Sequence, residues 1–264
     1  MKYSFIVTEG HHDIEFLARI LKISYSLEHI KQLNDLDPYW ENLVPRNFPI
    51  EGDLAKRVPV PTFFHNDEFS VALHSAGGDG NLAEEVQENL TELARQSSKV
   101  FGIGIILDAD KRDTPIKRFE LCINQFTELE SPLSIELSLP SSLGEVTKGS
   151  PRCGIFVLPD NKSSGTLEDI LIECAARNYP DLLNLSRNYI DNINTSLLTR
   201  KDLEWFRKSA GKNKAILSGI TSVLKPSKSL AVSLQDNRWI DEKTLKLDRL
   251  VAIRDFVGEI IGAL

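Results

Sequence analysis

Three carboxylates stand directly after apolar runs that are typical of buried strands. Glu9 follows the run at residues 3–7, and Asp108 and Asp110 follow the run at residues 100–107. If the two runs are parallel strands of one sheet, their carboxyl ends meet at one edge and the acids lie together there. Like charges so close repel each other unless they are protonated or bound to a cation. Magnesium takes oxygen ligands and keeps several waters, so two or three carboxylates suffice to hold it.

The spacing of the two aspartates is compatible with two different roles. Residues two apart in an extended chain point the same way, so Asp108 and Asp110 can address one metal ion or two adjacent ions. Aspartate is also common in turns and at helix starts, where its side chain accepts hydrogen bonds from backbone N–H groups. The pair alone leaves metal binding and helix capping open. Its combination with Glu9, after a second strand, favours the metal site.

An alternation of strand and helix patterns positions these acids. Short apolar runs predict buried strands, and apolar residues at helical spacing predict amphipathic helices between them. Strands are expected at residues 2–8, 69–75, 100–107 and 153–158, and helices at about 12–22, 82–94, 115–129 and 168–177. This order predicts an α/β fold with a parallel sheet flanked by helices. Ligands of such sheets bind at the carboxyl ends of the strands.

Two stretches fall outside this alternation. Residues 24–68 contain several prolines, which disfavour regular structure, and are predicted to form an insertion or surface excursion. Its aromatic residues could cover the core or form a surface for a partner. Beyond this, the sequence predicts an α/β domain over 1–178 and a helical C-terminal extension over 179–264 packed on it. Helices of the extension are expected at 181–194, 199–208, 212–224 and 247–263.

The composition limits the expected partners and compartment. A net charge of −7 argues against a passive nucleic-acid coat but not against a nuclease, because a metal-binding acid cluster is itself negative. The three cysteines form no Cys-x-x-Cys pair, so no zinc site is indicated, and their odd number fits a reducing cytoplasm. No run of roughly 18 apolar residues suggests a membrane span. We expect a cytoplasmic protein without a membrane partner.

Three segments of the domain predicted over 1–178 resemble the motifs of a known family, the Toprim domain. Residues 7–10 (Val-Thr-Glu-Gly), with Asp13 after them, are similar to the Toprim glutamate motif. Residues 106–110 (Ile-Leu-Asp-Ala-Asp) are similar to its Asp-x-Asp motif. Residues 154–161, followed by 165–169, resemble a branch of small stand-alone Toprim proteins. The resemblance covers about residues 2–176, broken by the proline-rich stretch.

The resemblance carries an expected function. Toprim domains occur in type IA and type II topoisomerases, bacterial primases, small ribosomal-RNA maturation nucleases and overcoming-lysogenization-defect nucleases. Topoisomerases add a domain with a tyrosine nucleophile and primases add a zinc-binding module, and the sequence indicates neither. The resemblance therefore implies a magnesium-dependent nuclease that hydrolyses phosphodiester bonds in DNA or RNA. Nucleases of the defence type often work beside an ATPase, so an antiviral effector controlled by an ATPase partner is the expected setting.

The resemblance also implies roles for individual acids. Asp108 and Asp110 would be the principal ligands of Mg²⁺, for which Mn²⁺ would substitute. Glu9 would be a metal ligand or the general acid/base, and Asp13 and Glu168 would be further metal ligands. The alternative for Asp13 and Glu168 is a helix start, where the helix dipole alone favours an acid by roughly 0.3–1 kcal/mol.

Five other residues are candidates for contacts with the substrate or for catalysis. His11 lies in the turn after the first strand, Gly78 in a glycine-rich turn, and Lys111 directly after the aspartate pair. Lys212 and Lys214 lie in a basic patch. The nuclease branch often places a lysine near its metal ions to stabilise the transition state, and Lys214 is assigned that catalytic role. The alternative for each is a solvated or turn residue, and for Gly78 a sharp turn that glycine permits.

Two other functions stay open at this point. The chain carries no Walker motif, so it could be a non-catalytic Toprim module that regulates an ATPase complex. It could also be a metal-dependent nucleotide phosphotransferase that uses the same edge of the sheet. Homo-oligomers are compatible with all three functions. Co-purification with an ATPase would favour the regulatory module, and a preference for mononucleotides over oligonucleotides would favour the phosphotransferase.

Overall fold

The computed structural model describes residues 1–47, 52, 59–96, 99–110, 113–131 and 133–264. The strands are β1 Lys2–Thr8, β2 Glu28–Ile30, β3 Thr62–His65, β4 Phe69–Ser75, β5 Gly102–Asp108 and β6 Arg152–Leu158. The helices are α1 His11–Tyr25, α2 Leu82–Leu93, α3 Pro115–Thr127, α4 Leu167–Asn178, α5 Pro180–Asp191, α6 Gly211–Leu224, α7 Leu230–Asp236 and α8 Asp248–Ile261. None of the helices in these residues combines the length and the apolar character needed to cross a membrane.

The six strands form one mixed sheet in the order β2-β3-β4-β1-β5-β6. β4, β1, β5 and β6 are parallel neighbours, whereas β3 runs antiparallel to β4 and β2 antiparallel to β3. The predicted α/β fold with helices around a sheet is confirmed, and the prediction of a wholly parallel sheet is wrong. The four parallel strands are the four that the apolar runs predicted, so their carboxyl ends lie along one edge.

The two unpredicted strands lie in the proline-rich stretch, and a short turn explains their direction. Asn66 Oδ1 accepts hydrogen bonds from the N–H groups of Glu68 and Phe69, each at 2.9 Å. Asparagine favours such turns because its side chain replaces a backbone partner. Strands joined by so short a turn pair antiparallel. This stretch therefore extends the sheet, and its aromatic residues Trp40 and Phe63 are buried in the core.

The central strands are buried on both faces. In β1 the side chain of Ile6 packs into a cluster formed with α1 and the C-terminal helices. Its neighbours Phe5 and Val7 point to the other face, into a cluster formed with α2 and α3. Alternation along a strand sends successive side chains to opposite faces. Strands covered on both faces read as continuous apolar runs, which is why the sequence revealed them.

The last helix packs closely on the sheet because two strand residues lack side chains. A Cβ atom at Gly102 would lie 2.0 Å from the carbonyl oxygen of Ile260 in α8. A Cβ atom at Gly154 would lie 2.7 Å from the ring of Phe256. The glycines inside β5 and β6 therefore mark where the helix backbone and an aromatic ring approach the strands.

The first strand and the end of the last helix are joined directly. Lys2 Nζ donates a hydrogen bond to the carbonyl oxygen of Gly262 at 2.7 Å, and the Ser4 hydroxyl donates to that of Ile260 at 3.4 Å. Helices from both sides of residue 178 contribute to one hydrophobic cluster. The C-terminal helices thus pack on the sheet, and the division into a domain over 1–178 and a helical extension stays a prediction.

One predicted helix of the C-terminal region is wrong. The sequence predicted a helix at 199–208, but residues 199–210 form a series of turns, called the turn segment below. The chain doubles back just before α6, since a Cβ atom at Gly211 would lie 2.3 Å and 2.4 Å from the carbonyl oxygens of Trp205 and Phe206. So close an approach between backbone segments ends any regular helix there. The short helix α7 was not predicted.

Candidate active site at the strand ends

Glu9, Asp108 and Asp110 line one surface cleft of about 850 Å³. Strand β1 pairs with β5 so that Thr8 lies opposite Ile106, and the residues that follow the two strands meet at the same edge of the sheet. The turn segment and the start of α6 also line this cleft. The structure therefore brings together the three acids that were predicted to meet.

Asp108 is held by the start of α4. Its Oδ1 atom accepts a hydrogen bond from the N–H group of Leu167 at 2.9 Å. Burial raises the pKa of Asp108 well above its usual value, and the charges of Asp13, Glu9 and Glu168 raise it further. The Leu167 N–H group opposes these effects by stabilising the ionised form. Burial and the neighbouring acids therefore disfavour the ionised form of Asp108 more than this hydrogen bond favours it.

Asp110 connects three loops. Its backbone is left-handed, with a φ of 62°, which aspartate tolerates better than most residues. Its carbonyl oxygen accepts the N–H group of Gly165 at 3.1 Å, and its Oδ1 atom accepts the Ser209 hydroxyl at 2.8 Å. The next helix, α3, is capped by Thr114, whose hydroxyl accepts the N–H group of Lys117. The alternative that Asp110 caps this helix is thereby wrong.

Asp13 and Glu168 are buried beside the strand-end acids. Asp13 Oδ2 accepts the N–H group of Gly10 at 2.9 Å. Burial raises the pKa of Asp13 to about 7, and the charges of Glu9 and Glu168 contribute to the rise. Glu168 is only 4% exposed, and Lys214 Nζ lies 3.6 Å from its Oε1 atom. Asp13, Glu168 and Lys214, which were predicted to belong to the site, thus lie within one group of mutually interacting charges.

Replacing Asp13 with asparagine should stabilise the metal-free protein at neutral pH. A carboxyl with a raised pKa favours folding while it is protonated, and this contribution is lost as the pH rises from the ordinary value of 3.8 to about 7. Asparagine keeps an oxygen for the Gly10 N–H group but cannot ionise. Urea unfolding in EDTA should show a free energy of unfolding higher by a few kcal/mol at pH 8 and much less changed at pH 4.5. Equal changes at both pH values would contradict the assignment.

Arg118 is a candidate that the sequence pattern did not reveal. Its Nη2 atom donates to Glu9 Oε1 at 2.7 Å, and its Nε atom donates to the carbonyl oxygen of Asp108 at 3.0 Å. The residue is only 8% exposed. A signal was present, because Arg118 lies on the buried face of α3 with Phe119 and Cys122. A charged residue on such a face is costly unless it is paired, so its partners were worth seeking.

Of the four residues predicted to contact a substrate, the three that the structure describes are not brought to the acids in this way. His11 is exposed at the start of α1, and Lys212 forms an ion pair with Asp191 at 2.6 Å. Gly78 lies in the turn after β4, outside the described lining of the cleft. Lys111 lies outside the described residues. Their roles in substrate binding stay predictions.

His12, rather than His11, experiences the charges around the acids. Burial lowers the pKa of His12, while the neighbouring charges of Glu168 and Lys214 raise and lower it respectively. The two histidines are adjacent in the sequence, directly after Glu9 and Gly10. Which of them turns toward the acids depends on the rotation of α1 about its axis, which the sequence pattern around the turn does not fix.

The donor atoms at this edge suit a hard divalent cation. Carboxylate oxygens are the ligands that Mg²⁺ and Mn²⁺ prefer. Burial, and after it the charges of neighbouring carboxylates, raise the pKa values of Asp13 and Asp108. Within the described residues, no three acids, histidines or cysteines form a ready-made metal-holding group. Glu9 is instead hydrogen-bonded to Arg118. Binding of an ion therefore requires some of these carboxylates to exchange protein donors for the ion.

A larger groove of about 1250 Å³ lies elsewhere, along α2. Its described lining includes Asn89, Glu92 and Glu128 and contains none of the strand-end acids. We place the candidate active site in the smaller cleft because ligands of α/β sheets bind outside the carboxyl ends of parallel strands. The buried, mutually repelling carboxylates are also found there and not in the larger groove.

The chain is similar to other proteins along most of its length. A family model described as protein of unknown function (DUF3226) matches residues 3–253. The crystal structure of a hypothetical protein from Pyrococcus horikoshii OT3 is similar, with a TM-score of 0.54 and 16% sequence identity, over 98% of this chain and 95% of that chain. At this identity the likeness shows a shared fold alone. The comparison with curated proteins gives no match.

Proposed function

The chain belongs to the DUF3226 family of proteins of unknown function, and we propose that it is a Toprim-type nuclease that uses Mg²⁺ to hydrolyse phosphodiester bonds in DNA or RNA. The observation that carries this proposal is the convergence of Glu9, Asp108 and Asp110 on one cleft at the strand ends. Two further buried acids, Asp13 and Glu168, act on the charge of Asp108. So much negative charge is costly for the fold by itself, which is typical of a site built for cations.

Different residues of the cleft have different roles in the proposed hydrolysis. Glu9, Asp108 and Asp110 would hold Mg²⁺, with Asp13 and Glu168 as further ligands. A bound ion would supply Lewis-acid chemistry there, which would polarise the phosphate and make a water easier to deprotonate. Glu9 accepts the proton of the attacking water, and Arg118 fixes the position of its carboxylate through the 2.7 Å hydrogen bond.

Lys214 provides positive charge beside the acids of the cleft. It lines the cleft, and its ammonium group lies 3.6 Å from Glu168, which restrains a long and flexible side chain. From this position Lys214 donates a hydrogen bond to a phosphate oxygen as negative charge develops on it. Such charge stabilisation in a partly enclosed site is a large contribution to phosphoryl-transfer catalysis.

Cleavage of oligonucleotides by the purified protein tests the proposal. We expect wild-type protein to cut single-stranded DNA or RNA in Mg²⁺ or Mn²⁺ and not in EDTA. The Glu9→Gln variant, which keeps the size of the side chain but cannot accept the proton, should lose most of this activity. Equal cleavage by wild-type and variant protein would contradict the proposal. Turnover of mononucleotides without cleavage of oligonucleotides would instead identify a nucleotide phosphotransferase.

A further inference from the structure

An exposed tryptophan stands at the cleft. Trp205, in the turn segment, is 71% exposed, whereas Trp40 and Trp239 are completely buried. It lines the same cleft as Glu9 and Asp108. An indole ring is a large apolar surface, and leaving it in water forgoes the roughly 1.5–3 kcal/mol that burial of a large apolar side chain typically contributes. The position of Trp205 therefore calls for an explanation other than packing.

The backbone fixes Trp205 in this outward position. The carbonyl oxygens of Trp205 and Phe206 approach Gly211 so closely that no side chain fits there. Leu203, two residues earlier, is only 4% exposed and anchors the turn segment in the protein. Ser209 ties the segment to the acids through its 2.8 Å hydrogen bond to Asp110. The turn segment is thus held in place by contacts on both sides of Trp205.

Two basic residues lie near the exposed ring. Lys208 Nζ lies 3.3 Å from the centroid of the Trp205 ring, and Arg207 lines the cleft. Arg207 also lines an adjoining depression of about 660 Å³, together with Arg200. Within the turn segment, residues 199–210, the chain carries four basic and two acidic side chains, although its net charge is −7. The local charge is therefore opposite in sign to that of the chain as a whole and matches a polyanion.

We propose that the turn segment binds single-stranded nucleic acid, with an unpaired base stacked on Trp205 and backbone phosphates paired with Lys208 and Arg207. Stacking of a base on an aromatic side chain contributes roughly 1–3 kcal/mol and tolerates any sequence. Bases inside a duplex are stacked on each other and cannot use the ring. The inference rests on the proposed function, since it places the neighbouring phosphate at the carboxylates, and it adds that the substrate is single-stranded near the cut.

Fluorescence titration in EDTA tests this binding without cleavage. Because Trp40 and Trp239 are buried, quenching by an oligonucleotide reports chiefly on Trp205. We expect quenching by oligothymidylate or oligouridylate and much weaker quenching by a duplex of the same length. The two single strands decide between DNA and RNA. Anisotropy of a labelled single strand should show affinity lowered about 5- to 150-fold in Trp205→Ala, which is the stacking free energy converted to a ratio, and largely kept in Trp205→Phe.

A matched control comes from another exposed aromatic residue. Tyr189 is 68% exposed on α5 and lies outside the described lining of the cleft. The Tyr189→Ala variant should bind the strand with the affinity of the wild type. Unchanged affinity in Trp205→Ala, equal binding of duplex and single strand, or no binding of any oligonucleotide would overturn the inference. Binding through Trp205 without cleavage in Mg²⁺ would support the inference and contradict the nuclease. Cleavage in Mg²⁺ that is unaffected by Trp205→Ala would support the nuclease and contradict the inference.

Discussion

Replacing Asp108 with asparagine is expected to reduce Mg²⁺-dependent cleavage by more than about 100-fold, since loss of a residue that merely supports a metal ligand already costs 10–100-fold. The same change should remove the stabilisation of the folded protein by Mg²⁺, because an ion that binds only the folded state stabilises it by about 2.7 kcal/mol at a hundredfold excess over its Kd. In EDTA the variant should be more stable than the wild type, since burial and neighbouring acids disfavour the charged Asp108. Thermal unfolding with and without Mg²⁺ measures both effects.

The opposite directions of these two effects separate a metal site from a structural role. A purely structural aspartate would leave the variant less stable in both conditions. Asp191→Asn provides the matched control, because Asp191 is half-exposed, pairs with Lys212 and lies outside the described lining of the cleft. It should keep both cleavage and the response to Mg²⁺. A wild-type protein whose unfolding temperature does not respond to Mg²⁺ or Mn²⁺ would contradict the metal site.

Replacing Gly102 with alanine is expected to destabilise the fold at or above the upper end of the roughly 1–3 kcal/mol that overpacking costs. The added Cβ atom would meet the carbonyl oxygen of Ile260 at 2.0 Å, and backbone cannot give way as a side chain can. Helix α8 would have to move away from β5 and uncover part of the core. Urea unfolding of the purified variant measures the loss.

A second glycine offers the matched change without the contact. A Cβ atom at Gly80 would meet nothing within 4 Å, so Gly80→Ala should leave the free energy of unfolding nearly unchanged. Similar stabilities of the Gly102→Ala and Gly80→Ala variants would contradict the close packing of α8 on β5. A larger loss for Gly102→Ala, together with retained cleavage at low temperature, is the expected result.

Features set by short stretches of sequence could be predicted. The apolar runs of β1 and β5 revealed the strands, because helices cover both faces of the sheet. The positions of Glu9, Asp108 and Asp110 followed from those strand ends, since parallel neighbours end at one edge. The bounds of α1 and α3 were also close to those found, as their apolar faces repeat at helical spacing.

Features that depend on distant contacts could not be predicted. The pairing of β3 with β4 depends on a turn at Asn66, and the proline-rich stretch before it concealed a strand. The sequence predicted a helix for the turn segment, because local helix propensity does not reveal the close approach of Gly211 to two carbonyl oxygens. Arg118 reaches Glu9 across 109 positions of the chain. The likeness to nucleases supplied roles for the acids but no information about these contacts.

The link between β1 and the end of α8 has a consequence for the order of events during synthesis. The partners of Lys2 and Ser4 are Gly262 and Ile260, which follow them by 260 and 256 positions of the chain. At a ribosomal rate of ~5–20 residues per second, roughly 13–50 s separate the synthesis of Lys2 from that of Gly262. During that interval the apolar surface of β1 that α8 will cover stays open to solvent or to chaperones. Nascent chains arrested before residue 248 should therefore be sensitive to proteases, and chains extended well past residue 262 should be more resistant.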